Sequence, residues 1–115
     1  MRLNIEKDFT RPWGGFIKFI DQKPCTVKIL QVKKGQSLSL QFHQLREEFW
    51  YLVAGKIQLT LGKKKKILKP GDQAYIPKKC QHRAKALENA EILEISTGKF
   101  KENDIVRIQD EYGRK

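Results

Sequence analysis

Apolar residues recur along this chain in short runs separated by turn formers, with no stretch of sustained helical period. The runs predict strands over residues 16–20, 26–32, 38–42, 49–53, 56–61, 66–68, 73–76, 81–86, 90–97 and 105–108. Turn formers fall between them at Pro24, Gly35, Gly55, Gly62, Pro70-Gly71-Asp72 and Pro77. Many short strands with regular turns predict an all-β sandwich or barrel. Alternation then assigns faces, because successive side chains of a strand point to opposite sides. Ser37, Ser39, Gln41 and His43 share one face, as do Glu48, Trp50 and Leu52 on the next strand. Phe49, Tyr51 and Val53 lie on the opposite face of that second strand. A strand apolar on both sides needs cover on both. The facing sheet supplies one cover and a partner subunit the other, which predicts a homodimer.

The 115 residues fit one domain with one core, and 39% of them are apolar. No apolar run is long enough for a membrane span, and the polar start, from Met1 to Asp8, has no signal-peptide core. A cytoplasmic protein is expected, with Cys25 and Cys80 as free thiols. The formal net charge is +11. Three readings of it stay open: attraction of an anionic substrate such as a sugar phosphate, a nucleic-acid surface, or solvated charge. Much of it sits in Lys63-Lys64-Lys65-Lys66, beside Gly62, where a hairpin tip is expected. No nucleic-acid motif accompanies the charge.

The chemistry concentrates in two stretches. In the first, Gly35 and Gly55 bracket Gln41, His43 and Glu48; in the second, Gly71 and Pro77 precede His82. The chain has only two histidines, and both stand here. Gln41 and His43 are two apart, so they project from one side of a strand. Glu48 follows a short turn, and His82 falls on a strand that can lie opposite. Two nitrogens and two oxygens converging inside a β-barrel suit one divalent metal ion. Zinc is favoured, with iron, manganese, cobalt and nickel also compatible. Cys80, two before His82, reads as a small apolar residue more readily than as a further ligand.

At these residues the chain resembles a cupin, with Gln41 at a ligand position where many cupins carry histidine. Lys79 departs from the pattern where glycine is usual, and Ala86 where asparagine is frequent. A closer resemblance is carried by Arg11-Pro12-Trp13-Gly14, Leu38-Ser39-Leu40-Gln41, Arg46, Trp50, Ile76-Pro77, His82-Arg83, Asp104-Ile105-Val106-Arg107 and Tyr112-Gly113-Arg114. From Arg11 to Arg114 the chain is similar to type II phosphomannose isomerase, whose cupin usually forms the carboxy-terminal part of a bifunctional enzyme that also transfers a guanylyl group. Gln44 and Phe49 replace family histidines, Ile29 a basic residue and Ser96 a glutamine. These four changes are expected to thin the polar lining of the site.

The resemblance implies a single-domain cupin, a jelly-roll barrel (double-stranded β-helix) over residues 1–115, with its core at 10–108 and a tail at 109–115. It implies a metal-dependent isomerase converting mannose 6-phosphate to fructose 6-phosphate for nucleotide-sugar and polysaccharide precursors, with no guanylyl transfer. Metal on Gln41, His43, Glu48 and His82 would polarise a carbonyl. Lys28, Glu94 and metal-bound hydroxide are the catalytic candidates for moving the proton. Arg46, Arg107 and Arg83 are candidates for the phosphate, since a guanidinium fork matches phosphate oxygens. Parity turns Arg83 away from the metal and places Arg107 and Arg46 ahead of it. Trp50 and Trp13 suit either a sugar floor or core packing. The competing functions are a non-catalytic, metal-containing sugar-binding cupin, a metal-dependent oxygenase and, least supported, a nucleic-acid module.

Overall fold

Hydrogen-bonded strands form wherever the apolar alternation recurs. The computed structural model describes residues 3–98, 101, 103–110 and 112–113, so part of the expected tail, Arg114 included, lies outside the described residues. The strands are β1 (Glu6–Arg11), β2 (Gly14–Lys18), β3 (Thr26–Val32), β4 (Leu40–Phe42), β5 (Arg46–Ala54), β6 (Ile57–Leu61), β7 (Lys64–Leu68), β8 (Gln73–Ile76), β9 (His82–Ala86), β10 (Ala90–Gly98) and β11 (Val106–Gln109). β2 to β11 correspond to the predicted runs. β1 was not foreseen, because Phe9 is its one large apolar residue and the alternation has nothing to register.

β1 and β2 form a separate hairpin. Its turn leaves Trp13 73% exposed, so the expected packing of this ring, in a core or under a sugar, does not occur. The remaining strands form two antiparallel sheets, ordered β3-β10-β5-β8 and β11-β4-β9-β6-β7. Stacked face to face they make the jelly roll. Leu52, Ile57, Leu59, Leu68, Ala84, Ala86 and Ile92 fill the space between them and are essentially inaccessible. Burying each large aliphatic side chain contributes about 1.5–3 kcal/mol.

Parity holds through this interior. Glu48, Trp50 and Leu52 face inward at about 1% exposure. On the outer face, Phe49 and Tyr51 pack on Phe19 of the same chain, with ring centroids 6.2 and 4.9 Å apart. Part of the cover assigned to a partner is therefore intramolecular. Val27, Ile29 and Val53 on that outer face stay exposed.

Two turns show why particular residues stand where they do. Gly55 has φ +85°, and a Cβ there would come within 2.1 Å of the Asn89 carbonyl oxygen, so only glycine fits. Lys79 has φ 64°, the left-handed conformation for which the motif ordinarily supplies glycine. Its N–H bonds the His43 carbonyl at 2.7 Å, which ties the β8–β9 turn to the end of β4.

Candidate metal centre

His82 opens β9, and Gln41 on β4 pairs directly across from it. Glu48 lies near the start of β5 in the other sheet, facing the same interior. His43 stands one residue beyond β4. The ligand atoms of His43, Glu48 and His82 lie within 4.8 Å of one another, and all three residues are buried. Among the described residues this is the group of histidine, cysteine and acidic side chains that could hold a metal ion. Cys80 is not in it. Burial raises its thiol pKa, and Sγ turns to the Gln81 carbonyl.

Each imidazole is oriented by its far nitrogen. His82 Nδ1 donates to the Cys80 carbonyl at 3.0 Å, and His43 Nδ1 to the Asp104 carbonyl at 2.6 Å. Those bonds leave Nε2 of both rings as lone-pair donors, the arrangement of metal-ligating histidines. His43 Nε2 is 3.5 Å from Glu48 Oε2, and His82 Nε2 is 3.6 Å from Glu48 Oε1. Metal–ligand bonds of about 2.0–2.2 Å in a tetrahedral shell separate neighbouring donors by roughly 3.4 Å. His82 Nε2 is buried without a hydrogen-bond partner. An orphaned buried nitrogen is costly, and desolvation lowers the His82 pKa, which keeps the ring neutral and able to ligate. The residues fit a divalent ion. Ser39 Oγ donates to Gln41 Oε1 at 2.6 Å, and that carbonyl oxygen retains a second lone pair.

The cluster opens into a cavity of about 260 Å³, below the ~300–1,000 Å³ of drug-sized pockets. Lys28, Arg46, Glu94 and Arg107 line it beside Gln41, His43 and Glu48. Lys28 stands across from Glu94 in the β3–β10 ladder. Burial, reinforced by the nearby Glu48 carboxylate, pushes Glu94 up to about 7 from 4.5, against the opposing pull of Arg46 and Lys28.

Arg46 is already engaged. Its Nε donates to Glu48 Oε2 at 3.2 Å, Nη2 to His43 Nε2 at 3.4 Å, and Nη1 to the Lys101 and Asp104 carbonyls at 3.1 and 3.4 Å. It acts on the ligand carboxylate more directly than on the open cavity. Arg83 pairs with Thr60 on the outer side of its sheet and donates to the Leu38 and Gln109 carbonyls. It is absent from the cavity wall, so its phosphate role is withdrawn. Trp50 is 1% exposed, donates Nε1 to Glu48 Oε1 at 3.3 Å and meets His82 edge-on. It packs behind the ligands instead of flooring a sugar.

The expectation that four substitutions thin the lining is also corrected. Ile29 and Phe49 lie on the outer face, since their neighbours Lys28 and Glu48 face in, and Gln44 is exposed on the β4–β5 turn. Of the four, only Ser96 is interior, across from Glu48. In the sequence Asp104 stands out only as part of a motif. Its carboxylate accepts the Gln44 and Leu45 N–H groups, both at 2.9 Å. Burial pushes its pKa up, but those two donors together with the nearby His43 and Arg46 outweigh it and hold the group below the usual carboxylate range.

Comparison with known proteins gives consistent relatives. The profile of the family described as Mannose-6-phosphate isomerase C-terminal matches residues 2–110. The mannose-1-phosphate guanylyltransferase ManC of Salmonella typhimurium is 33% identical, over 96% of this chain and 24% of that protein. The alginate biosynthesis protein AlgA of Pseudomonas aeruginosa is 38% identical, over 90% of this chain and 22% of its own length. The xanthan biosynthesis protein XanB of Xanthomonas campestris is 37% identical, over 90% and 23%. The chain thus spans about a quarter of the length of the curated relatives it matches. Among solved structures, the rmlC epimerase of Mycobacterium tuberculosis superposes with TM-score 0.68 at 13% identity, over 92% of this chain and 66% of that one. Oxalate decarboxylase from Bacillus subtilis gives 0.65 at 26% identity, over 73% and 24%. Both likenesses are of fold, and they identify the jelly roll as a cupin.

Proposed function

The chain belongs to the mannose-6-phosphate isomerase C-terminal family, and from that premise we propose that it is a metal-dependent sugar-phosphate isomerase interconverting mannose 6-phosphate and fructose 6-phosphate. The observation that carries the reading is the convergence of His43, Glu48 and the fully buried His82, of which His43 and Glu48 line a cavity together with Glu94. A divalent ion held by these three residues and Gln41, with zinc favoured over iron, manganese, cobalt or nickel, supplies a Lewis acid for the substrate oxygens.

The protein's own groups do the rest. Glu94, raised by burial to about 7 in the metal-free protein, is the carboxyl placed to act as acid and base, and a bound cation would favour its ionised, proton-accepting form. It takes a proton from one sugar carbon and returns it to the neighbouring one. Lys28 across the ladder is the second catalytic candidate, steadying the ionised Glu94. Arg107 lines the cavity and is the phosphate contact, and Arg46 holds Glu48 in place. The names of the xanthan and alginate biosynthesis relatives support a place in polysaccharide precursor supply. A cytoplasmic setting is part of the same reading, with Cys25 and Cys80 unpaired. The exposed Val27, Ile29 and Val53 support association of two copies through that face.

One sample tests the centre, the turnover and the pairing of chains. Purified protein is expected to carry about one divalent ion per chain, to isomerise mannose 6-phosphate in a coupled assay, and to sediment at twice its 13.5 kDa mass. His82→Ala is expected to lose the ion and the turnover together. Metal-loaded protein that binds the sugar phosphate without turning it over would instead be a sugar-binding cupin. Metal content equal to wild type in His82→Ala would remove the centre itself.

A further inference from the structure

Asp104 contacts four consecutive residues, His43 to Arg46, from the other end of the chain. Its carboxylate oxygens accept the Gln44 and Leu45 N–H groups, and its carbonyl accepts His43 Nδ1 and Arg46 Nη1. The two histidines differ in what steadies them. His82 lies within β9, and its ring is held by a carbonyl two residues away on its own segment. His43 lies beyond the end of β4, outside any ladder, so the sheet does not orient its ring. A histidine on a turn keeps its angle only if the turn is pinned and the far nitrogen is bonded, and Asp104 does both.

We propose that Asp104 is the positioning residue of the metal centre, a clasp that pins the β4–β5 turn and presents His43 Nε2 to the ion. This inference rests on the proposed centre. The carbonyl that bonds His43 Nδ1 survives any substitution at this position, so replacing the carboxylate tests the pinning of the turn; losing the groups that orient a ligating histidine typically costs about 10–100-fold in metal affinity. The control is Asp72, whose carboxylate caps the Lys69 N–H at 2.8 Å in a turn away from the cavity.

The experiment is equilibrium Co²⁺ titration of chelator-stripped wild type, Asp104→Ala, Asp104→Asn and Asp72→Ala, read by visible d–d absorption, with melting curves of the metal-free proteins. Asp104→Ala loses both carboxylate bonds to the turn but keeps the main-chain carbonyl on His43 Nδ1, so it is expected to bind Co²⁺ about 10-fold more weakly, the low end of that range, with an altered absorption band. Asp104→Asn, which keeps one accepting oxygen, should fall between it and wild type. Asp72→Ala should melt lower yet bind Co²⁺ as wild type does. Cobalt uptake by wild type with unchanged affinity and spectrum in Asp104→Ala overturns the clasp alone. No uptake by wild type overturns the centre and the clasp with it.

Discussion

The two ends of the barrel interior are built from the same strands and do opposite things. Along β5 the inward row runs Glu48, Trp50, Leu52; along β10 it runs Ser96, Glu94, Ile92; along β9 it runs His82, Ala84, Ala86. Each row begins with groups able to bind or ionise and ends with groups able only to pack. The closed end supplies the burial that the fold needs. The open end places ionisable groups inside, where each is a cost unless it is bonded, paired or ligating. The difference shows how a small domain keeps reactive side chains rigid: it mounts them on strands already anchored a few residues further along.

Substitutions at the two ends should separate these jobs. Leu52→Ala, at the closed end, is expected to destabilise by about 2–5 kcal/mol, measured by denaturant unfolding of the metal-free protein. A loss no larger than that of a surface change would break the contrast. Glu94→Gln, at the open end, should act with the opposite sign and only at higher pH. The Glu94 pKa is raised to about 7 from 4.5, so the folded state resists ionising it. The penalty is absent below pH 4.5, grows as the pH rises and is complete above about 7. Glu94→Gln is therefore expected to stabilise the metal-free protein at pH 8 by up to roughly 3 kcal/mol, at about 1.4 kcal/mol per pKa unit, and not at pH 4. A pH-independent difference in melting would refute this account of the carboxyl. Lys64→Ala, exposed on β7, sets the floor: within about 0.5 kcal/mol of wild type and with unchanged metal content.

Most of the frame is legible in the sequence, because inward and outward positions differ in polarity and strands have period two. The same rule already placed Phe49 opposite in sense to Glu48, and Ile29 to Lys28. Alternation alone therefore excludes both residues from the site lining. β1 left no such trace, since a strand exposed along nearly all its length needs no apolar stripe. The lysines of β7 read as a hairpin tip, but their place on the edge of a sheet needed the topology. Charge there discourages a further strand from adding on. Asp104 was hidden for a different reason. It meets His43 across a separation of 61 residues and through a carbonyl, which every residue type carries. Pairing of that kind cannot be inferred from side-chain identity.

Glu48 belongs to one sheet, while His82 and the segment leading to His43 belong to the other, and among the described residues no strand pair bonds the two sheets together. An ion bound by all three is therefore a rivet through both layers. Loading it would resist the sheets' sliding or parting at the open end, where the apolar filling is thinnest. Cargo and scaffold would then lose their grip on each other in a single event.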